Sequence, residues 1–179
     1  MCMVLLRAYW RSCFRLSACL VLLVWYVLPA NAETDVMDDA NNAVKAQERG
    51  DLATALTLYT RVIDSKELDP GDNLLVYTYN NRGIIYLQRG ELDKAITDFD
   101  AALQGGPDYL VYYNRGRAWS QKGDYDRAIA DLNQAIELYP NFVKAYNERG
   151  LAWMNKGDAA KARADLEKAK SLHPNLKFK

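Results

Sequence analysis

All-α, a short right-handed solenoid of about four stacked helical hairpins, is the fold class this sequence predicts. Three observations carry the expectation. The phrase YNNRG (79–83) returns as YYNRG (112–116) and as YNERG (146–150), at intervals of 33 and 34 residues. Glycines at 50, 90, 123 and 157 keep nearly the same beat, and an acid follows each of them: Asp51, Glu91, Asp124 and Asp158. A glycine that ends one helix in the left-handed conformation, followed by an acid that caps the next, is the turn of a helical hairpin, with Glu91 the weaker cap. Between these marks apolar residues recur at three and four, as in Ala128, Leu132, Ala135 and Ile136, the stripe of an amphipathic helix.

In chain order the first element is a leader. Residues 1–32 hold Arg7, Arg11 and Arg15 and no acid, then an apolar run from Leu16 to Leu28 broken only by Ser17, then Pro-Ala-Asn-Ala. These are the parts of a secretory signal peptide, cleaved after Ala32. The run falls short of the roughly 20 residues that span a bilayer, although an uncleaved anchor is the alternative. All three cysteines (Cys2, Cys13, Cys19) lie in this segment, so a processed chain would hold no thiol, disulfide or cysteine metal site. Losing the three arginines leaves 20 basic against 23 acidic residues, which gives no reason to expect a nucleic acid partner.

Residues 33–75 form a degenerate first repeat with an extended connection, DSKELDPGDN (64–73). Gly50, Asp51, Ala55 and Tyr59 keep their places, while Asp39, Asn42 and Ala43 stand where later units have an aromatic, an arginine and a glycine. Terminal repeats face water on one side, so this unit is expected to cap the array and to pack more loosely. The second, third and fourth repeats occupy 76–108, 109–142 and 143–175, with a tail at 176–179. The second carries Tyr79, Gly83, Tyr86, Ala95, Phe99 and Pro107. The third has Tyr112, Gly116, Trp119, Ala128, Leu132 and Pro140 at the same offsets, and the fourth Tyr146, Gly150, Trp153, Ala162, Leu166 and Pro174.

This pattern resembles the tetratricopeptide repeat, a 34-residue pair of antiparallel helices, over about residues 76–175. The resemblance implies small residues where the helices touch. Gly83, Gly116 and Gly150 are therefore expected against Ala95, Ala128 and Ala162, a contact that offsets the ~1 kcal/mol glycine costs a helix interior. It also implies a concave face, lined by the first helix of each pair, that holds an extended peptide or partner segment. Its positions here are Tyr77, Asn80, Ile84, Leu87 and Gln88 in the second repeat. The third supplies Leu110, Tyr113, Asn114, Arg117, Ser120 and Gln121, and the fourth Lys144, Asn147, Leu151, Met154 and Asn155. Amides pair with a peptide backbone of any sequence, and tyrosine supplies contact area at low entropic cost. The family's carboxylate clamp for chaperone tails matches only at Asn114 and Lys144. Asn80 and Ile84 depart from it, and Glu148 would repel a ligand's own carboxylate, so chaperone-tail binding is not expected.

One departure from the family is regular. Where tetratricopeptide repeats usually carry leucine, this chain has Arg82, Arg115 and Arg149, and sixteen residues after each stands Asp98, Asp131 or Asp165. The first repeat has neither, with Asn42 and Leu58 instead. Residues kept together and lost together are expected to touch, as a ladder of internal ion pairs made by forked guanidinium groups. Such pairs fix register more than they add net stability.

Catalysis has little to stand on. The chain has one histidine, His173, at a helix end, no Gly-rich phosphate loop, no HExxH and no metal-ligand spacing, so no cofactor and no small-molecule substrate are expected. The reading is an exported, non-catalytic adaptor of the bacterial periplasm that binds a protein or peptide partner. The alternative is a structural or assembly component of the cell envelope, anchored to the inner membrane by an uncleaved leader and acting through its outer surface. Leu176 and Phe178 in the tail are candidates for self-association.

Overall fold

The structure, a computed structural model, describes residues 36–173. The leader read at 1–32, and Leu176 and Phe178, lie outside the described residues. Eight helices follow one another: α1 (Val36–Glu48), α2 (Leu52–Asp64), α3 (Asn73–Gln88), α4 (Leu92–Leu103), α5 (Tyr109–Lys122), α6 (Tyr125–Leu138), α7 (Val143–Asn155) and α8 (Ala159–Leu172). They pair as four hairpins, α1/α2 through α7/α8, and each hairpin packs on the next. The described residues contain no strand.

Local chemistry sets the hairpin turns. Gly123 takes φ +84°, a left-handed conformation at low cost only for glycine, and its N–H bonds back to the carbonyl of Ser120. Asp124 then starts α6 by accepting from the Arg127 N–H at 3.0 Å. Asp51 and Asp158 do the same for α2 and α8, bonding Thr54 and Lys161 at 3.1 Å. Glu91 at the start of α4 makes no side-chain cap bond. Its extra methylene carries the carboxylate to Lys94 and Arg89 instead.

The first helices of the hairpins approach one another in order, α1 to α3, α3 to α5 and α5 to α7, whereas no two second helices of the described residues come as close. The first helices therefore lie closer together, and their row forms the inner side of the bend. Small residues allow this close stacking. Ala43, Ala46, Ala55, Ala95, Ala118, Ala128 and Ala145 have no exposed surface at all.

One expectation is corrected. The first hairpin is not loosely packed: Tyr59 and Val62 are each 1% exposed, as deeply buried as Phe99 or Leu132. Tyr59 stands where later units carry Phe99, Leu132 and Leu166, and packs with Ala43, Ala55 and, from the next hairpin, Ile85. Its hydroxyl donates to Gln47 Oε1 at 2.9 Å, and burial pushes its pKa up to about 12, so it stays a donor. Helix α2 runs to Asp64 and α3 begins at Asn73, because Asp72 caps it by accepting from the Leu74 N–H at 2.7 Å.

Candidate functional site

Most of the repeated phrase YxxRG proves to be architecture. Arg82 on α3 grips Asp98 on α4 with two donors, Nε to Oδ2 at 2.8 Å and Nη2 to Oδ1 at 2.7 Å. Arg115 holds Asp131 at 2.8 and 2.7 Å, and Arg149 holds Asp165 at 2.8 and 2.6 Å, in the same fork. The aspartates are almost buried, with 4%, 8% and 9% of their side chains exposed. Each guanidinium also lies near the tyrosine three residues earlier, at 5.8 Å for Tyr79, 5.6 Å for Tyr112 and 5.5 Å for Tyr146. Its hydrogen bonds to Asp131 hold Arg115 in the charged form more firmly than a free arginine.

The remaining nitrogen of each fork reaches back one hairpin. Nη1 donates to Thr60 Oγ1 at 3.1 Å from Arg82, to Asp100 Oδ1 at 2.6 Å from Arg115, and to Asn133 Oδ1 at 2.6 Å from Arg149. Three arginines thus pin their own two helices together and tie each hairpin to its predecessor. The first hairpin has a pair the sequence reading missed, with polarity reversed: Arg61 on α2 holds the buried Asp39 on α1. The spacing of 22 instead of 16 hid it.

Each of the three glycines lies nearest to a large side chain. A Cβ on Gly83 would stand 2.7 Å from Cε1 of Phe99. On Gly116 it would meet Leu132 Cγ at 3.0 Å, and on Gly150 Leu166 Cγ at 3.2 Å. Ala128 and Ala162 contribute through their carbonyl oxygens, at 3.2 and 3.3 Å, and Ala95 is not among the three nearest neighbours. The tight spot is set by the large residue four positions after each alanine, because one helical turn brings it over the glycine.

The residues that resemblance assigns to the inner face divide into two groups. Asn80 and Asn114 are 9% and 7% exposed, and Asn114 Nδ2 donates to Asn80 Oδ1 at 3.1 Å, so they form a joint between hairpins instead of an open lining. Leu87, at 4%, belongs to the core. Tyr77 (56% exposed), Leu110 (42%), Leu151 and Met154 remain open to solvent, with Gln88, Gln121, Lys144 and Asn155. Ile84, Arg117, Ser120 and Asn147 are half-buried among them. Tyr113 is fixed from below by the Phe142 ring at 4.9 Å, and Tyr109 joins the cluster at 5.2 Å from Phe142. Sequence reasoning passed over Tyr109 and Phe142, because a helix start and an interhelical turn carry no period.

Opposite charges meet on this face. Arg117 lies 5.6 Å from the Tyr113 ring and 4.0 Å from Glu148. Burial raises the Glu148 pKa, and Arg117 offsets that only in part. No cluster of three or more metal-ligating side chains occurs among the described residues, and no described helix is long and apolar enough to cross a membrane.

Comparison with protein families matches the tetratricopeptide repeat at residues 76–104 and 109–142, and a second profile of the same repeat at 143–176, together more than half of the chain. The chain belongs to the tetratricopeptide repeat family. Such arrays are generally non-catalytic scaffolds for protein–protein interaction. No curated protein matches the sequence. Among solved structures, a crystal structure of MamA superposes with a TM-score of 0.73 at 22% identity, covering 81% of this chain and 82% of that one. MamA from Desulfovibrio magneticus RS-1, residue 41 to the end, gives 0.72 at 19% identity, over 97% and 96%. The first tetratricopeptide domain of Spaghetti (RPAP3), bound to the HSP90 peptide SRMEEVD, gives 0.57 at 26% identity, over 59% of this chain and 84% of that one. The tetratricopeptide array read from the sequence and the helices of the structure are the same fold.

Proposed function

We propose that this tetratricopeptide protein is an exported, non-catalytic adaptor that holds a segment of a partner protein along the inner face of α3, α5 and α7. One observation carries the reading. Tyr77 and Leu110 occupy the same position in successive hairpins and are 56% and 42% exposed, although each could be polar without disturbing the core. Apolar and aromatic side chains held open on a rigid row, beside the amides Gln88, Gln121 and Asn155, suit a ligand that brings its own backbone donors and acceptors.

The peptide complex of the Spaghetti domain supports a peptide as the kind of ligand. An acidic chain terminus is disfavoured here, because Glu148 stands among Arg117 and Tyr113 on that face. Export to a bacterial periplasm rests on the leader composition alone. The second reading, an envelope component tethered by a retained leader, is separated by N-terminal sequencing of the protein from its native compartment. Glu33 as first residue favours the soluble adaptor, and an intact Met1 end favours the tether.

The binding test is a pull-down from envelope extract with wild type and with Tyr77→Ala/Tyr113→Ala/Lys144→Ala. Asn80 and Asn114 are left unchanged, because their substitution would loosen the joint between hairpins. The triple variant, checked for retained helicity, is expected to lose the partner. A partner held equally by both proteins places the contact on another surface.

A further inference from the structure

Arg82, Arg115 and Arg149 spend their donors on an aspartate fork and on the preceding hairpin. Arg117, in the middle of the inner face, does not. Its Nε stands 4.0 Å from Glu148 Oε1, too far for a hydrogen bond, and no other carboxylate of the described residues pairs with it. The two side chains are 36% and 27% exposed. Glu148 occupies the place that Asn81 and Asn114 hold in the repeated phrase. Asn114 spends its amide on Asn80, whereas no hydrogen bond holds the Glu148 carboxylate against its burial, which raises its pKa. Ser120, one turn beyond Arg117 on α5, adds a hydroxyl oxygen that is shut off from solvent and has no hydrogen-bond partner. Buried polar side chains nearly always have one.

These unspent groups define what they accept. A carboxylate brought to Arg117 meets Glu148, and an ammonium brought to Glu148 meets Arg117. Lys144, one turn before Glu148 on α7, is exposed, so water and salt screen it. A neutral group with an acceptor beside a donor suits both. The backbone peptide group is trans and points its C=O and N–H in opposite directions, so one such group cannot face both residues. A side-chain carboxamide presents its oxygen and its NH2 along one edge, roughly 2.2 Å apart from its bond lengths. That edge fits against a donor and an acceptor 4.0 Å apart.

We propose that Arg117 and Glu148 form a carboxamide subsite, which selects a partner segment by an asparagine or glutamine side chain. The ligand's carbonyl oxygen accepts from Arg117 and its NH2 donates to Glu148, with the Ser120 hydroxyl open to the same ligand one turn along. The subsite depends on the partner lying along the inner face as proposed above. It adds a preference that Tyr77 and Leu110 cannot supply, since apolar contacts discriminate weakly between ligands of similar shape.

Random dodecapeptides displayed on phage and selected against the full chain test this. Synthetic copies of the enriched peptides are titrated by fluorescence anisotropy, with the Asn or Gln in place and with Asp or Glu instead. The peptides are expected to carry Asn or Gln at a fixed spacing from an apolar residue and to lose binding to Tyr77→Ala. They are expected to weaken about ten-fold or more when the carboxamide becomes a carboxylate. Glu148→Gln, which removes the repelling charge at nearly constant shape, is expected to erase that discrimination. Peptides that need Tyr77 but share no Asn or Gln, or bind equally well with Asp or Glu, overturn the subsite and leave the inner-face reading standing. So does a discrimination that survives Glu148→Gln. A selection that enriches no peptide, or only peptides indifferent to Tyr77→Ala, overturns both.

Discussion

Gly83, Gly116 and Gly150 hold the same place in three hairpins, but the space around them is not the same. A methyl group gains about 1 kcal/mol of helix propensity at any of the three, and overpacking costs about 1–3 kcal/mol where it cannot be relieved. Gly83→Ala meets a stiff phenyl ring at 2.7 Å and is expected to destabilise. Gly150→Ala meets a leucine at 3.2 Å and is expected to be close to neutral, with Gly116→Ala between them. Urea unfolding midpoints of the three variants give the order directly. The ion pairs make a second claim. Arg115→Met leaves Asp131, only 8% of whose side chain is exposed, without its fork, at an expected cost of about 3 kcal/mol. Arg115→Met/Asp131→Leu removes both charges and is expected to recover most of that loss. A double-mutant cycle by denaturant unfolding measures the difference. At this scale the sequence was informative wherever a residue recurred: the Arg–Asp spacing of 16 predicted the contact. It was silent on Arg61 and Asp39, which occur once, and on the third donor of each arginine, because Thr60, Asp100 and Asn133 share a position but no chemistry.

Among the second helices, α2, α6 and α8 begin at an aspartate that caps its own first turn, and α4 does not. Hydrogen bonds to Thr54, Arg127 and Lys161 hold the carboxyls of Asp51, Asp124 and Asp158 below the usual carboxylate range. A depressed folded-state pKa means that the stability these caps add is fully present above the unfolded value of 3.8, and is lost as pH falls through the lower folded value. Asp124→Asn, which still caps, is therefore expected to keep the helix and lose part of its acid sensitivity. Asp124→Ala is expected to lower the thermal midpoint at neutral pH. Glu91→Ala, which removes no cap bond, is expected to cost less. Circular-dichroism melts between about pH 2 and pH 7 separate the three. The Gly–Asp turns were legible because a left-handed glycine and a capping acid are local signals. The start of α3 at Asn73 was not, since Asp72 fell inside a stretch that lacked the period.

For the whole molecule, stacking of near-identical units makes stability a sum of hairpins and the seams between them. Among the described hairpins, the middle two have two seams and the outer two have one. Amide exchange is expected to be slowest in α4 and α5 and faster in α8, where Arg163 and Lys170 replace apolar contacts; uniform protection across all eight helices would contradict this. The fold was readable at this scale because a period of 34 residues averages over local exceptions. The inner face was readable only in outline. Resemblance placed Asn80, Asn114 and Leu87 on it, and the structure turns all three inward, since which side of a helix is covered depends on how close its neighbour stands. The reaching nitrogens of Arg82, Arg115 and Arg149 have a last consequence. In every seam the receiving oxygen lies earlier in the chain than the group that seeks it. As the polypeptide emerges from a ribosome or a translocation channel, amino end first, each new unit arrives at a berth already built, and only the arginine's own aspartate, sixteen residues on, has still to follow.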